Sequence, residues 1–583
     1  MLKVDGDRLT VETRTLRARF EAGVLVSFVR LSDGREFLDE AAARAKPALE
    51  LIYPGQGASA LSGSPGDKVT CRQLNPLAAE YRFEAWYGDG VLTVAEDPET
   101  GDLLLEPSGY ASRPGLQACR WNVAGIGAGL TLVAPFFQGA KLDLEDPLIA
   151  GSRWAWPHSW EAGLAILEGD TGGFWVHCRD DGGGGAYRFK ALRVGADGSG
   201  GSGARGGERR LGFETEAAGP LDRNLAAGGL AWRLNVYEGD WRVPAAQYRE
   251  WLRLTCEPRA RLGRPPFSGG PPGTRRPDWL EEVRFAVSWC PCKEEILKEL
   301  SAKVEPGKVL LHVPNWRSDP YDENYPTFRA SAEGRRFIEQ AKAAGFRVMP
   351  HMNSVDMDPT HPAYPYVRDF QYREVVSKAV QGWTWVEGKV LPVPESNAGR
   401  LRHRDKKTMV KIHPGLAMWR SILAENVAEA AKDLGLVAVF LDVTLCAWNT
   451  DNGVVEYQTT PEGMRRLIAK VAGLGRGLTV GGEGRNEVTA RELSFAQVHL
   501  FRSWQSSLEG LERAGGCALN EFLFAGLCRS FGYSGLNGAT PESALRMRTH
   551  VSLGAIPTVT VRSAKEIAEP NEAVAEMLAL AVR

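Results

Sequence analysis

Two carboxylates end apolar segments that follow each other along the chain. Asp442 closes the apolar run 438–441 in "AVFLDVT", and Glu483 stands among glycines in "LTVGGEGRNE". An unpaired buried carboxylate carries a large free-energy cost, so Asp442 either faces a cleft at the end of a strand or is paired inside the structure. Glycoside hydrolysis uses two carboxyl groups, one ionised and one protonated. These two residues therefore suggest that chemistry.

The spacing of the two residues assigns their roles. Neighbouring parallel strands lie about 4.8 Å apart, so two carboxylates at their ends can face one substrate bond. Retaining glycosidases hold their carboxyl groups about 5 to 5.5 Å apart, whereas inverting enzymes hold them about 6.5 to 9.5 Å apart, and adjacent strands favour the first. Asp442 is then the nucleophile, and Glu483, with glycines that leave room for a substrate, is the acid and base. The open alternative is a structural ion pair between Asp442 and Arg485.

The elements that would position these residues form a regular pattern from residue 279 onward, where apolar strands alternate with amphipathic helices. This alternation predicts a parallel sheet with right-handed crossovers, and eight such strands make a (β/α)8 TIM barrel. An open doubly wound sheet is the alternative, but no GxGxxG follows a first strand. The expected strands are 283–289, "KVLLHV", 346–353, "AVFLD", "LTVGGE", "AQVHLF", "CALNEFLF" and 556–561.

The C-terminal ends of barrel strands carry the chemistry in this fold. The residues expected to bind a substrate there, by hydrogen bonds or by stacking on a sugar face, are Trp289, Trp316, His351, Asn353, His413, Trp448 and Arg485. For each residue alone, core packing or a rim hydrogen bond is the competing explanation. The long segment 354–407, which contains Trp383 and Trp385, predicts a lid or binding loop.

The N-terminal half has a different pattern. Segments with period-2 alternation, separated by Gly-containing turns, predict an antiparallel β-sandwich over residues 1–258. The stretch 259–278 is dense in Pro, Gly and Arg, which is typical of a linker. Residues 279–583 form the barrel. The expected fold is therefore multidomain, with a β-sandwich before an α/β barrel.

Charge and composition limit the partners. The 70 Lys and Arg and 72 Asp and Glu give a net charge of −2, which carries no electrostatic signature of nucleic-acid binding. The sequence shows no signal peptide and no apolar run long enough to span a membrane. Nine scattered cysteines fit a reducing compartment, so a cytoplasmic address is expected. A carbohydrate is the expected partner, and a homo-oligomer stays open.

No cofactor and no metal site are expected. Four polar residues could in principle hold a cation: Asp356, Asp358, Asp451 and Asn452. No EF-hand or HExxH pattern supports such a site.

The segment "KIHPGLAMWRSILAENVAEAAKDLGLVAVFLDVT" resembles a stretch of α-glycosidase barrels. In those barrels a polar-Pro turn precedes a helix with an inward Trp or Arg, then a Gly and an apolar strand that ends in Asp. The expected sandwich is similar to the galactose-mutarotase-like domain of the α-galactosidase, α-glucosidase and endo-α-N-acetylgalactosaminidase groups. The resemblance to the α-amylase and endo-α-N-acetylgalactosaminidase groups implies a nucleophile at Asp442 and an acid at Glu483. The chain departs from the α-amylase pattern, since no Arg stands two residues before Asp442.

The hypothesis that follows is a retaining α-glycoside hydrolase that acts on an oligosaccharide or glycoconjugate. One alternative is a carbohydrate-binding protein without catalysis, in which the same pocket binds sugar and releases it unchanged. Another is a sugar lyase or epimerase that uses His351 or His413 as a base.

Overall fold

The computed structural model describes residues 1–55, 57–146, 149–182, 187–195, 209–256, 277–394, 407–474, 478–500 and 515–582. Two compact units divide the chain. The first comprises Met1–Phe136 and Ala140–Tyr248, and the second comprises Phe137–Gly139 and Arg249–Arg583. Apart from residues 277 and 278, the expected linker at 259–278 lies outside the described residues.

Three antiparallel sheets build the first unit. A four-stranded meander contains Leu2–Asp5, Arg8–Glu12, Leu16–Glu21 and Val24–Arg30. A ten-stranded sheet contains Lys68–Asn75, Ala78–Ala85, Gly88–Glu96, Leu103–Ala111, Thr131–Ala134, Ala140–Asp143, Leu164–Gly169, Gly172–Cys178, Ala226–Gly228 and Trp232–Glu238. A six-stranded sheet contains Leu49–Tyr53, Gly57–Ala60, Ala118–Val123, Arg153–Ala155, Lys190–Val194 and Leu211–Glu216.

The two larger sheets share an aromatic core. The ring centroids of Phe213, in the six-stranded sheet, and Trp232, in the ten-stranded sheet, lie 5.2 Å apart. Nearby, a Cβ built on Gly109 would lie 2.4 Å from a methyl carbon of Leu51 on the opposite sheet. The faces are therefore in direct contact, and Trp121 and Trp232 are fully buried between them. These two tryptophans therefore stabilise the core of the first unit by apolar packing.

Eight parallel strands form the centre of the second unit. In chain order they are Phe285–Val287, Val309–Val313, Arg347–Asn353, Ala438–Asp442, Thr479–Glu483, Phe495–Val498, Arg529–Gly532 and Thr558–Val559. Each pairs with its chain neighbour from the first to the seventh, and the eighth pairs with the first. A parallel bridge between Phe531 and Ile556 joins the seventh strand to the residues before the eighth. The predicted parallel barrel, together with a β-rich first unit, is confirmed.

The helices of the barrel begin and end at residues suited to those positions. Ser331 caps one helix by accepting the Gly334 amide, and Gly435, at φ +56°, ends another in the left-handed conformation. The α-helices are Glu40–Arg44 in the first unit, Arg242–Cys256, and then Trp279–Glu282, Glu294–Lys303, Ala332–Ala343, Tyr364–Val367, Ala417–Leu434, Thr460–Ala472, Leu519–Phe524, Pro541–Ser552, Lys565–Ala568 and Glu572–Val582. Within the described ranges, none of them combines the length and the apolar character that a membrane crossing requires.

One expected barrel strand is wrong. The segment "CALNEFLF" contains the helix Leu519–Phe524, and the seventh strand is Arg529–Gly532. A short apolar run is compatible with a strand or a buried helix, and periodicity alone does not separate them. The true strand begins with Arg and ends with Gly, so it lacks the β-branched run that usually marks a buried strand.

The segment after the third strand is a small sheet. Four antiparallel strands form it: Asp356–Met357, Gly382–Val386, Lys389–Leu391 and Lys407–Lys411. A helical turn at Tyr364–Val367 and a 3-10 turn at Arg368–Phe370 lie between the first two. Residues 395–406, the remainder of the expected lid or binding loop, lie outside the described part.

The glycines of the fifth strand make room for neighbouring side chains. A Cβ built on Gly481 would lie 2.4 Å from Sδ of Met349, and one on Gly482 would lie 2.6 Å from Oγ1 of Thr444. From the sequence, the glycines were expected to leave space for a substrate. In the structure the space beside Gly481 and Gly482 is filled by side chains of the barrel, so a methyl group at either position would displace them.

The substitution Gly481→Ala is expected to destabilise the second unit by roughly 1 to 3 kcal/mol, as overpacking of a well-packed core does. Gly526→Ala is the control, because a Cβ at Gly526 meets no atom within 4 Å. Urea unfolding followed by tryptophan fluorescence measures both variants. An equal midpoint for the two would contradict the close contact with Met349.

Candidate active site

Asp442 and Glu483 lie side by side at the C-terminal rim of the barrel. The ladder between the fourth and fifth strands pairs Leu441 with Gly482, so the two acids occupy the next position in register. Each residue is only 6% exposed. Adjacent strands keep the two backbones about 4.8 Å apart. The barrel thus brings two largely desolvated carboxyl groups to one place.

Glu483 has a hydrogen-bond partner on each of its carboxyl oxygens. Nε2 of His499 lies 2.8 Å from Oε1, and the backbone N–H of Val443 donates to Oε2 at 3.2 Å. The hydroxyl of Thr444 donates to the Glu483 backbone carbonyl at 2.7 Å. The contacts from Val443 and Thr444 hold Glu483 next to the end of the fourth strand, whose last residue is Asp442.

The surroundings of Asp442 favour a bound proton. Burial raises the pKa of Asp442 well above its usual value, and the charges of Glu483, Asp322 and Asp356 raise it further. Because two close carboxylates repel each other when both are ionised, the charge of each favours a proton on the other. One carboxylic acid beside one carboxylate is the state that glycoside hydrolysis needs.

Two donor side chains approach the Oδ2 atom of Asp442. The Tyr321 hydroxyl lies 3.5 Å away, and Nε2 of His351 lies 3.6 Å away. The Ser354 hydroxyl donates to the backbone carbonyl of Asp442 at 2.6 Å and anchors the strand end. Burial holds the pKa of His351 well below its usual value, so the ring is neutral at physiological pH.

A second pair of acids flanks this centre. Oδ1 of Asp356 forms a buried ion pair with Nζ of Lys411 at 2.9 Å. Oδ2 of Asp322 accepts the indole N–H groups of Trp383 and Trp385 at 3.0 and 2.8 Å. The small sheet after the third strand supplies Lys411 and both indoles, and in this way it contributes side chains to the rim.

Trp289 and His351, two of the expected site residues, lie at the carboxylates. The partly exposed ring of Trp289 lies 5.8 Å from the ring of His351 and 5.5 Å from that of Tyr321, centroid to centroid. Trp316 is fully buried, and its indole N–H donates to the His351 carbonyl at 2.8 Å. Trp289 is therefore partly exposed at the rim, whereas Trp316 is buried and holds the backbone of His351.

Asn353 closes a turn beside the site. Its Nδ2 donates to Asp356 at 2.8 Å, and its Oδ1 accepts the amides of Val355 and Asp356. The side chain therefore orients the acid that pairs with Lys411. This arrangement makes Asn353 a support of the rim.

His413 and Trp448 gather around Tyr372. Nδ1 of His413 accepts the Gly415 amide at 2.9 Å, at the entry of the helix Ala417–Leu434. The ring centroids of His413 and Trp448 lie 5.8 and 6.4 Å from that of Tyr372. Trp448 also donates to Gln381 at 2.9 Å. The structure thus places these two residues together around Tyr372.

Arg485 pairs with Glu521. Its guanidinium donates to Oε2 of Glu521 at 2.6 Å and to the side-chain oxygen of Gln138 at 3.1 Å. In the described residues Arg485 forms its ion pair with Glu521 and not with Asp442. The alternative considered from the sequence, a structural ion pair between Asp442 and Arg485, is therefore not seen.

Three residues of the site were missed by the sequence reasoning: Tyr321, Asp322 and His499. His499 follows the sixth strand by one residue, so the rule of polar strand ends could have identified it. Tyr321 and Asp322 belong to the long loop 314–331, and a loop of that length is itself a signal of function. Nothing in the sequence distinguishes Asp322 from the nearby Asp319.

The described residues contain no group of three or more His, Cys, Asp or Glu side chains arranged to hold a metal ion. The four residues considered from the sequence have other partners. Asp358 accepts the Asn324 amide, and Asp451 pairs with Lys378 at 2.6 Å.

Comparison with known proteins establishes the fold. Residues 230–453 match a family described as a domain of unknown function, DUF6259. No curated protein matches the chain. The ligand-free α-N-acetylgalactosaminidase NagBb from Bifidobacterium bifidum aligns with a TM-score of 0.66 at 13% identity, over 98% of this chain and 92% of that chain. Its complex with Gal-NHAc-DNJ gives 0.66 at 12% identity over the same shares. The two proteins share a fold.

A GH36 α-galactosidase, AgaA from Geobacillus stearothermophilus, aligns more distantly. Its TM-score is 0.48 at 10% identity, over 98% of this chain and 85% of that chain.

The buried Asp322 predicts a pH-dependent stability. Burial raises its pKa to about 6, whereas an unfolded Asp titrates near about 3.9. The folded state therefore binds this proton more tightly, and stability declines as pH rises above 4 and through 6. Asp322→Asn should be more stable than the wild type at pH 8, by about 2 to 3 kcal/mol, with little gain at pH 4.5.

Thermal unfolding at the two pH values tests this expectation. The control is Asp369→Asn, since that side chain is 84% exposed and should show no pH-dependent difference. The same shift in Tm at pH 4.5 and pH 8 for Asp322→Asn would contradict the raised pKa.

Proposed function

We propose that this chain is a glycoside hydrolase that cleaves an α-glycosidic bond of an oligosaccharide or glycoconjugate with retention of configuration. The observation that carries the proposal is the pair of buried carboxyl groups, Asp442 and Glu483, in register at the ends of adjacent barrel strands. The fold shared with an α-N-acetylgalactosaminidase supports a carbohydrate substrate. It makes α-linked N-acetylgalactosamine the first sugar to test.

The reaction proceeds in two displacements. Ionised Asp442 attacks the anomeric carbon while protonated Glu483 gives its proton to the departing glycosidic oxygen, which leaves a glycosyl ester on Asp442. Glu483, now ionised, takes a proton from water, and the oxygen of that water attacks the anomeric carbon. The ester bond breaks, Asp442 returns to its ionised form, and Glu483 is protonated again. Two inversions give net retention.

Ionised Asp442 is the less obvious half of this assignment, because burial and the charge of Glu483 both raise its pKa. The donors of Tyr321 and His351 oppose that rise, since a hydrogen bond to a carboxylate favours the charged form. The Tyr321 hydroxyl donates a long hydrogen bond to Oδ2 at 3.5 Å, and Nε2 of His351 lies just beyond hydrogen-bonding distance at 3.6 Å. Catalytic hydrogen bonds of this length commonly tighten when substrate binds.

Trp289 is the proposed platform for the sugar ring. The residue is partly exposed, and its ring lies beside those of His351 and Tyr321, next to the proposed nucleophile. Stacking of an aromatic ring on the apolar face of a sugar would hold the anomeric carbon near Asp442. Trp316 and Asn353 are proposed to support the rim from their buried positions, and the roles of His413, Trp448 and Arg485 stay predictions.

The first test is the activity of two carboxamide variants on aryl α-glycosides. Asp442→Asn is expected to lose at least about 10³-fold in kcat/KM, and Glu483→Gln about 10² to 10⁴-fold on a substrate with a poor leaving group. With a dinitrophenyl leaving group, which needs no proton, Glu483→Gln should show a burst followed by slow turnover.

Matched controls are Asp369→Asn and Glu572→Gln, whose side chains are 84% and 92% exposed and should leave activity unchanged. Full activity of Asp442→Asn or Glu483→Gln would end the proposal. Tight binding of glycans by the wild type, with no cleavage of any linkage, would favour a binding protein instead. Unsaturated products that absorb in the near ultraviolet would favour a lyase.

A second test separates the two roles with azide. In Asp442→Ala, azide can enter the space of the lost carboxylate and attack from its side, so a β-glycosyl azide is expected. In Glu483→Ala the glycosyl ester still forms from an activated substrate, and azide then replaces water, so an α-glycosyl azide is expected. Proton NMR of the anomeric signal distinguishes the products. The opposite pairing of variant and product would reverse the assignment.

A further inference from the structure

Two buried histidines connect a backbone amide to Asp442. The Trp289 N–H donates to Nδ1 of His312 at 3.2 Å, Nε2 of His312 lies 3.1 Å from Nδ1 of His351, and Nε2 of His351 faces Oδ2 of Asp442 at 3.6 Å. His312 is 0% exposed and His351 is 1% exposed. In the described structure Nε2 of His351 has no hydrogen-bond partner, so Asp442 is the acceptor it faces.

The direction of the chain of contacts follows from the first donor. A backbone N–H can only donate, so Nδ1 of His312 accepts and a neutral His312 carries its proton on Nε2. That proton donates to Nδ1 of His351, which leaves the His351 proton on Nε2. Burial lowers the pKa of both rings, that of His312 to about 3, so both are neutral at the pH of most enzymes.

Packing keeps the two rings from turning over. The centroid of the His312 ring lies 4.4 Å from that of Phe440, and the His351 ring stacks on the same phenyl ring at 5.5 Å. The Trp316 indole holds the His351 carbonyl at 2.8 Å. A flip of either ring would therefore have to displace neighbours in the barrel core.

We propose that His312 is a positioning residue that sets the tautomer of His351 and thereby presents an N–H donor to Asp442. The inference rests on the proposed role of Asp442 as nucleophile. The donor favours the ionised carboxylate and so opposes the effect of burial. Without His312, the His351 proton can move to Nδ1, and a lone pair would then face the carboxylate and disfavour its ionisation.

Other groups also act on the two residues. The charged and titratable side chains that face Asp442, besides His351, are Glu483, Asp322, Asp356, Lys411, Tyr321, Tyr325 and Cys446. Arg317 acts on His351 and further disfavours a second proton on that ring. Substitution of His312 changes none of these groups, so the effect of the tautomer can be isolated.

The pH profile of kcat/KM tests the functional part. In His312→Leu the donor to His351 is lost, and the midpoint of the acidic limb is expected to rise by about one pH unit, the equivalent of a hydrogen bond to a carboxylate. His312→Gln is the matched control, because its amide N–H can reach the position of the imidazole Nε2. It should keep the midpoint within about 0.3 units of the wild type.

The tautomer itself is measured without any activity. In protein labelled with ¹⁵N-histidine, the ring nitrogens of His351, assigned with a His351→Gln variant, should show a protonated Nε2 and an unprotonated Nδ1. His312→Gln should keep this pattern. A proton on Nδ1 of His351 in the wild type would overturn the inference, whether or not the protein hydrolyses glycosides.

The outcomes of the tests separate two failures. The expected NMR pattern with an unchanged pH profile in a folded His312→Leu variant would remove the functional role of His312. Full activity of Asp442→Asn would instead remove the proposed nucleophile and leave the measured tautomer standing. If His312→Leu does not fold, the wild-type and His312→Gln spectra still decide the direction of the hydrogen bonds.

Discussion

The repulsion between Asp442 and Glu483 is the constraint on which the rest of the site depends. Strand register fixes the two backbones side by side, and burial removes the water that would screen the two charges. The surrounding residues can be understood as a response to this cost. His499 and an amide contact Glu483, whereas Tyr321 approaches Asp442 from the loop 314–331 and His351 approaches it from the adjacent third strand. These contacts offset part of the free-energy cost of burying the two acids in the barrel.

The neighbouring acids do not add freely to this repulsion, because each has partners of its own. Lys411 pairs with Asp356, and two indoles donate to Asp322, whose pKa burial raises to about 6. The charges of both acids still act on Asp442 and raise its pKa. Acidic groups gathered at one rim suit a reaction whose transition state carries positive charge at the anomeric carbon.

The sequence predicts the barrel well because parallel strands buried on both faces produce apolar runs that any reader can find. It also predicts the two acids at strand ends, because a charged residue that follows an apolar run marks the end of the strand. The helix Leu519–Phe524 was predicted as a strand, because the period of a short apolar run does not distinguish a strand from a buried helix. Tyr321 and Asp322 could not be predicted as site residues, because their position at the rim depends on the conformation of the loop 314–331. The partner of Arg485 could not be predicted either, because that contact joins residues far apart in the sequence.

Backbone strain at Val443 links the two carboxylates. Its φ of +54° lies in the left-handed region, which a β-branched residue adopts only at a cost of about 1 to 3 kcal/mol. At this turn the Val443 N–H donates to Oε2 of Glu483, and the same amide opposes the rise that burial causes in the pKa of Asp442. A relaxed, extended residue would leave this N–H in place but redirect the chain after it, and so move Thr444, whose hydroxyl donates to the Glu483 carbonyl at 2.7 Å. The strained turn therefore serves the carboxyl pair, and the regular barrel around it holds the turn in place.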